Sequence, residues 1–166
     1  MSALNYYRAR VDAEDAGVDQ YAASVQLICG ADIKPVPIEW LWDTWLALGK
    51  LHVIAGLPGT GKTTIGLALA ASLTSGGRWP DGSSAPVGNV LIWSGEDDPT
   101  DTLAPRLIGM GADMSRVHFV GAVKDGQGEL SFDPSKHMKP LENAIARTGG
   151  IDLLIILNSS VSHPER

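Results

Sequence analysis

The sequence predicts an α/β fold in which helices flank a parallel sheet. Four short apolar runs have the composition of buried strands: residues 51–55, 90–93, 117–120 and 151–157. Segments with helical periodicity separate these runs, and such an alternation of strand and helix is typical of a parallel sheet. The chain has 166 residues, 44% of them hydrophobic, which is enough for one domain with a substantial core.

Composition limits the classes of function. A net charge of −6 and a pI near 5.0 argue against broad nonspecific binding to nucleic acid or to membranes. Cys29 is the single cysteine, so no disulfide framework is predicted, and the four histidines lack the spacing of metal ligands. No signal peptide opens the chain, and no apolar run approaches the roughly 18 residues that a membrane span needs. We therefore expect a cytoplasmic protein without a membrane partner.

Residues 1–37 are predicted to form a lead-in, separate from a domain over residues 38–166. The lead-in has an acidic middle and a brief apolar patch, and its composition permits either a short helix or a partly disordered arm. Pro35 and Pro37 mark a hinge at its end. No role follows from this composition.

Three tryptophans crowd the first segment of the domain. Trp40, Trp42 and Trp45 lie within residues 38–48, among several other apolar side chains. We expect them to pack this segment against the edge of the domain, since large aromatic side chains contribute much buried area. The alternative is that one of them stacks on an adenine or on a neighbouring subunit.

The motif on which the function depends is GLPGTGKT at residues 56–63. It matches the pattern G-x-x-x-x-G-K-[ST] at every fixed position, which is the pattern of a loop that cradles nucleotide phosphates. Glycines allow the backbone to turn tightly and to bring its N–H groups against phosphate oxygens. The predicted nucleotide-binding residues are Gly56, Pro58, Gly59, Thr60, Gly61, Lys62, Thr63 and Thr64.

Three side chains of this loop have predicted roles. Lys62 would reach the β- and γ-phosphates of ATP, and the Thr63 hydroxyl would ligate Mg²⁺. Thr64 would add a hydroxyl near the α-phosphate. The setting supports this prediction, because an apolar strand-like run precedes the loop and a helical pattern follows it. The positive end of that helix would then point at the phosphates.

Carboxylates follow the second predicted strand, in the sequence SGEDDP at residues 94–99. Ligands of open α/β sheets bind at the carboxyl ends of the strands, where this turn should lie. We predict that Glu96 is the general base that orients and deprotonates the water attacking the γ-phosphate. Asp97 and Asp98 are predicted to cap the next helix, with Asp101 in its first turn.

The remaining segments receive simpler predictions. Residues 75–89 are rich in Gly, Pro and Ser and should form an exposed loop, in which Arg78 and Trp79 could equally pack or contact a partner. Residues 102–110 predict a helix that Pro105 starts or interrupts. Residues 124–128 predict a turn, residues 137–147 a helix, and residues 151–157 a fully buried strand.

These segments together resemble a known family. The sequences WLALGKLHVIAGLPGTGKTT, LIWSGEDDP, APRLIGMGAD and GGIDLLII are similar to the RecA-like ATPase domain of plasmid RepA-type replicative helicases and related phage or mobile-element primase-helicases. The resemblance runs from about residue 38 to residue 156. It implies a RecA-like sheet, ATP and Mg²⁺ bound by Lys62 and Thr63, and Glu96 as catalytic glutamate. It also implies hexameric rings that translocate on single-stranded DNA.

The chain departs from that family in two places. The last strand of the family ends in an aspartate, typically followed by proline, whereas Asn158 stands here after Leu157. Loss of this carboxylate should weaken Mg²⁺ binding. The sequence also stops at Arg166, where the family continues, so we expect a sheet that is incomplete at its C-terminus. Nothing singles out an arginine finger among Arg78, Arg106, Arg116 and Arg147.

Two functions therefore stay open from the sequence. The first is a helicase-type ATPase that uses Lys62, Thr63 and Glu96. The second is a truncated nucleotide-binding module with little or no turnover, which would be regulatory or vestigial. A small-molecule kinase is less favoured, because no lid or acceptor-binding segment is recognisable.

Overall fold

The computed structural model of the chain describes residues 25–126 and 128–157. Contacts between backbone positions divide the chain into two units, Met1–Pro37 and Ile38–Arg166. In the first unit, the described residues contain one 3-10 turn, Gly30–Asp32, and are otherwise irregular. Their apolar side chains, such as Leu27, are exposed, as is Cys29. The helix or disorder predicted for the first 24 residues lies outside the described part.

The described part of the second unit contains seven strands and three α-helices. The strands are β1 (Trp40–Trp42), β2 (Leu46–Ala47), β3 (Val90–Ser94), β4 (Val117–Phe119), β5 (Val123–Asp125), β6 (Gly128–Leu130) and β7 (Leu153–Leu157). The α-helices are α1 (Lys62–Ser75), α2 (Ala104–Gly109) and α3 (Met138–Arg147). A five-residue π-helical turn, Pro99–Leu103, leads directly into α2.

A three-stranded parallel sheet forms the centre of this unit. Strand β3 lies in the middle, with β4 on one side and β7 on the other. The register pairs Val90 with Val117 and with Leu153, and the β3–β7 ladder continues as far as Ser94 and Leu157. Strands β1 and β2, and likewise β5 and β6, form separate antiparallel hairpins. The predicted α/β fold with a parallel sheet is confirmed.

Helix α1 is the principal partner of this sheet. Its sequence is apolar nearly all round, and such a helix is stable only when most of its surface is buried. The core cluster joins Leu67 and Leu73 of α1 to Ile92 of β3 and to Leu107 of α2. The helix ends at Gly76, which has φ +64° and whose amide donates to the Ser72 carbonyl. Glycine suits this left-handed position, where a β-carbon would also lie 2.7 Å from Val87.

Leu67 allows the stability of this core to be tested. Its side chain is completely buried, so Leu67→Ala should lower the free energy of unfolding by about 2–5 kcal/mol through lost burial and a residual cavity. Ile65→Ala, on the half-exposed side of the same helix, should cost clearly less. Urea denaturation at 25 °C measures both. Equal losses from the two substitutions would contradict the packing described here.

The prediction of a strand at residues 51–55 is wrong. In the structure this segment belongs to no strand or helix, and Leu51 is 90% exposed. Within the described ranges, β7 pairs with β3 only, and no strand pairs with its other edge. An apolar run supplies the side chains of a buried strand, but a strand forms only where a neighbouring backbone accepts and donates its hydrogen bonds.

The prediction that residues 151–157 are fully buried is wrong as well. Strand β7 alternates between half-buried and exposed positions, with Leu154 and Ile156 exposed. Its other residues join the core on the side of α1, where a β-carbon on Gly66 would lie 3.5 Å from Ile155. A continuous apolar run predicts a strand that is covered on both faces, whereas helix α1 covers only one face of β7.

Residues 75–89 are not a wholly exposed loop. Arg78 and Ser84 form an antiparallel bridge, and the Trp79 amide donates to the Ser83 carbonyl at 2.8 Å. Trp79 is only 3% exposed and belongs to the core, together with Ala85. Of the two alternatives predicted for Trp79, the structure shows packing in the core. The tight turn between Trp79 and Ser83 accompanies this inward position of the indole.

The C-terminal predictions differ in detail from the structure. The helix predicted at residues 137–147 is confirmed as α3, and Pro105 lies in the first turn of α2. The turn predicted at residues 124–128 lies within the hairpin of β5 and β6, and the sequence pattern does not predict these two strands. Lys124 and Glu129 face each other across this hairpin at 2.8 Å. Three-residue strands carry too little alternation to be recognised from the sequence.

Candidate nucleotide-binding site

The loop at residues 56–63 adopts a conformation that requires its glycines. Gly59 has φ +78° and Gly61 has φ +87°, a region that side-chain-bearing residues rarely occupy. At Gly56 the constraint is space, because a β-carbon there would lie 2.9 Å from the Thr60 hydroxyl oxygen. The spacing of glycines that suggested a phosphate loop thus corresponds to three separate backbone requirements.

Hydrogen bonds within the loop fix its shape and the position of its lysine. The Thr60 hydroxyl donates to the Leu57 carbonyl at 2.8 Å. Lys62 Nζ donates to the carbonyls of Gly56 and Leu57, at 3.0 Å each. These two hydrogen bonds consequently hold the ammonium charge against the loop.

The N-terminus of α1 adds a second source of positive potential. Gly61 occupies the N-cap position, no side chain caps the helix, and its first turn carries no acidic residue. The amides of a first helical turn have no partner within the helix, and their partial positive charge favours an anion. Lys62 is in this same first turn, so the amides and the ammonium act on one region. These donors fit the phosphate groups of a nucleotide.

One cavity joins the loop to the end of β3. It has a volume of about 670 Å³, and its wall includes Pro58, Gly59, Gly61, Lys62, Thr63 and Thr64 of the loop. Ser94, Glu96 and Asp97 line another part of the wall. Gly56 and Thr60, which were also predicted to bind nucleotide, do not line this cavity and instead shape the loop. Lys62 and Thr63 therefore share one cavity with Glu96, which is distant from them in sequence.

The acidic turn after β3 divides its carboxylates between two tasks. Asp98 caps the following helical segment, since its carboxylate accepts from the amides of Thr100 at 2.6 Å and Asp101 at 3.3 Å. These hydrogen bonds, that from Thr100 first, lower the pKa of Asp98. Asp97 was predicted to share the capping, and this is corrected: its amide donates to Ser94 Oγ at 2.8 Å, and the residue lines the cavity. The Glu96 amide donates to the same hydroxyl oxygen at 3.2 Å.

Arg106 is a candidate site residue that the sequence did not single out. Its Nη2 donates to Thr64 Oγ1 at 2.7 Å, which brings a guanidinium from α2 to the first turn of α1. Apart from Lys62, it is the only Lys or Arg side chain of the described residues with a hydrogen bond to this stretch, Gly56–Thr64. No local sequence pattern indicates this contact, because it depends on how α2 packs against α1.

Arg106 should contribute to nucleotide affinity. We expect Arg106→Ala to weaken ATP binding roughly 3- to 30-fold, because a charge-assisted donor beside the phosphate site is lost. Arg147→Ala, which removes an exposed guanidinium from α3, should leave the affinity unchanged within error. Isothermal calorimetry with Mg²⁺ and ATP measures both. If the two substitutions change the ATP affinity equally, Arg106 does not belong to the nucleotide-binding site.

The donor set also bears on the metal. Within residues 25–126 and 128–157, no group of three His, Cys, Asp or Glu side chains could hold a metal ion. The cavity does offer oxygen ligands, namely the Thr63 hydroxyl and the carboxylates of Glu96 and Asp97. Mg²⁺ prefers oxygen and is commonly held by few protein groups together with substrate phosphates. The residues present therefore fit an ion that enters with the nucleotide.

Comparison with known families agrees with this geometry. A family model described as AAA domain matches residues 20–158, most of the chain. The chain belongs to this family of P-loop ATPases. The AAA domain accounts for the phosphate loop, and the family in general binds ATP with Mg²⁺. Neither a curated protein nor a solved structure matches the chain significantly.

A separate observation concerns membranes. Among the helices of residues 25–126 and 128–157, none has both the length and the hydropathy required to cross a lipid bilayer.

Proposed function

We propose that this AAA domain binds ATP with Mg²⁺ and hydrolyses it, as the motor domain of a replicative DNA helicase of a plasmid, phage or mobile element. One observation carries the ATPase part of the proposal. The phosphate-loop residues Lys62 and Thr63 line the same cavity as Glu96, at the carboxyl end of β3. A phosphate-binding cation and a candidate general base are thus available to a single bound nucleotide.

The chain's own groups would act in a simple order. The backbone amides of the loop and of the first turn of α1 would bind the phosphates, with Lys62 compensating charge on the β- and γ-groups. Glu96 would orient a water molecule and accept its proton as that water attacks the γ-phosphate. Thr63 would hold Mg²⁺ through its hydroxyl. Bound Mg²⁺ would neutralise charge that develops on the phosphate oxygens.

The helicase part of the proposal rests on sequence resemblance. The phosphate loop, the SGEDDP turn and the APRLIGMGAD segment together resemble RepA-type replicative helicases. By that resemblance, the domain would assemble into a homo-oligomeric ring, a hexamer in that family, around single-stranded DNA. Because the chain is acidic, single-stranded DNA would be contacted by local loops and not by the general surface.

A second candidate is a nucleotide-binding module with little or no turnover. It is favoured by the sequence at the end of β7, where Leu157 is followed by Asn158 and not by a residue with a carboxylate. That position lies just outside the described residues. The small number of acidic ligands in the cavity agrees with weak metal binding. Such a module could regulate an intact helicase by occupying a place in its ring.

Binding and phosphate release, measured on the same preparation, distinguish the candidates. Calorimetry with ATP and Mg²⁺ gives the affinity, and a phosphate assay with and without a thymidine 20-mer gives the turnover. We expect binding together with release that the oligonucleotide stimulates. Phosphate release that the oligonucleotide does not stimulate would support the ATPase activity and contradict the helicase function. Binding without release would establish the second candidate, and absence of binding would overturn both.

A further inference from the structure

Three indole rings form a continuous stack on the second unit. Trp42 lies in the middle, with ring centroids 5.3 Å from Trp79 and 5.4 Å from Trp45 and interplanar angles of 13° and 22°. Trp79 and Trp42 are buried, at 3% and 8% exposure, whereas Trp45 remains 63% exposed. One face of Trp45 therefore rests on Trp42, while the indole keeps most of its surface open to solvent. The outer face of Trp45 is therefore accessible to a planar group of another molecule.

The backbone beneath Trp45 is held in an unfavourable conformation. The turn between β1 and β2 consists of residues 43–45, and the Trp45 amide donates to the Trp42 carbonyl at 3.0 Å. Thr44, in the middle of this turn, has φ +61°. It is the only non-glycine residue with positive φ in the described ranges, and a β-branched side chain is poorly suited to that region. Such outliers persist where the surrounding structure demands them, and they cluster at binding sites.

Carboxylates give the stack a negative setting. Trp42 Nε1 donates to Asp81 Oδ2 at 2.8 Å, and Ser83 donates to Asp81 Oδ1 through its hydroxyl and its amide. These donors, the Ser83 hydroxyl first and Trp42 second, lower the pKa of Asp81, so that it remains ionised well into the acid range. The hydrogen bond thus places an ionised carboxylate at the edge of the stack, where it adds negative potential near the indoles.

Most charged residues of the surrounding segments are acidic. Glu39 and Asp43 are the only charged residues of positions 38–48, and both are acidic. The neighbouring turn adds Asp81, against which stands Arg78, whose guanidinium donates to the Gly82 carbonyl at 2.8 Å. These two segments thus carry three carboxylates and one guanidinium that already donates a hydrogen bond, and Lys50 lies two positions beyond the first segment. This setting disfavours a phosphate backbone and favours a positively charged ligand.

We propose that the outer face of Trp45 is a docking site for an arginine side chain carried by a basic segment of another protein. Arginine suits this face better than lysine, because the planar guanidinium stacks on an indole and can also bond a nearby carboxylate such as Asp43. The proposal uses no residue of the phosphate loop. It therefore stands or falls independently of ATP hydrolysis by this chain.

The test uses a short peptide in which arginine alternates with glycine, four arginines in all, with a terminal fluorophore. Its matched control replaces each arginine with citrulline, which keeps the shape of the side chain and removes the charge. Fluorescence anisotropy on the full chain at low and at physiological salt measures both affinities. We expect the arginine peptide to bind at least tenfold more tightly than the citrulline peptide, with the difference decreasing as salt rises.

Substitutions then locate the binding site. Trp45→Ala should reduce affinity for the arginine peptide at least fivefold, and Trp45→Phe should retain an intermediate affinity. Trp40→Ala is the matched control, since Trp40 is 40% exposed on the same hairpin but makes no ring contact with the stack among the described residues. Circular dichroism melts show whether each variant folds. If Trp45→Ala does not fold, Trp45→Phe still tests the role of the indole, because it keeps an aromatic ring at this position.

Several outcomes would overturn the proposal. Equal binding of both peptides would show that charge is irrelevant, and equal losses from Trp40→Ala and Trp45→Ala would show that the stack is irrelevant. If a thymidine 20-mer binds in preference to the peptide, and this binding depends on Trp45, the outer face of Trp45 would be a site for nucleic acid instead. Absence of peptide binding to the unsubstituted chain would leave Trp45 without this role.

Discussion

Replacing Lys62 with alanine should weaken the binding of ATP with Mg²⁺ at least 100-fold, about 2.7 kcal/mol. The ammonium is held against the loop by the carbonyls of Gly56 and Leu57, close to where the first-turn amides of α1 point. A charge-assisted hydrogen bond contributes roughly 1.5–3 kcal/mol, and this side chain is expected to reach two phosphate groups. Calorimetry at 25 °C with saturating Mg²⁺ is the measurement.

Lys124→Ala is the matched control for this loss. It also removes one positive charge, but from an exposed ion pair with Glu129 in the β5–β6 hairpin. Exposed pairs of this kind contribute little, so both its ATP affinity and its stability should resemble those of the unsubstituted chain. An unchanged affinity in Lys62→Ala, with a normal melting curve, would mean that the loop does not bind nucleotide as proposed.

The phosphate loop could be predicted from the sequence because its shape is encoded locally. Gly59 and Gly61 occupy positive φ values that few other residues tolerate, and Gly56 avoids a clash with Thr60. Each requirement concerns residues at most four positions apart. A pattern of residue types is then sufficient to specify the conformation, whatever the rest of the fold does.

The segment before the loop shows where such reasoning fails. Residues 51–55 have the composition of a buried strand, yet Leu51 and Val53 are exposed and the segment has no pairing partner in the described ranges. Pairing depends on another backbone lying at hydrogen-bond distance, which no local pattern encodes. The same limit applies to β7, whose apolar run does not reveal that only one of its faces is covered.

Side-chain tasks near the site were only partly predictable for a related reason. Asp97 and Asp98 are chemically equivalent in the sequence, and only the chain direction after β3 decides that Asp98 caps the helix while Asp97 lines the cavity. Arg106 reaches Thr64 across 42 positions of sequence. Contacts at such separation depend on the packing of α2 against α1, which the periodicity of either helix leaves undetermined.

Replacing Glu96 with glutamine should slow the release of phosphate from ATP by 10²- to 10⁴-fold, the usual contribution of a general base. ATP affinity should change less than threefold, because the phosphates are expected to be bound by the loop and by Lys62, which this substitution leaves in place. Glutamine keeps the size of the side chain and its ability to orient water, but it cannot accept the proton. Single-turnover phosphate release with enzyme in excess of ATP separates this step from product release.

Two neighbouring carboxylates sharpen the assignment of the base. Asp98→Asn makes the same chemical change two positions along, at the residue that caps the helical segment after β3. Asparagine is itself a good N-cap, so this variant should retain its rate and lose little stability. Asp97→Asn tests the other carboxylate of the cavity wall. A large loss in Asp97→Asn with a normal rate in Glu96→Gln would transfer the role of general base to Asp97, since both line the same cavity and only one need accept the proton.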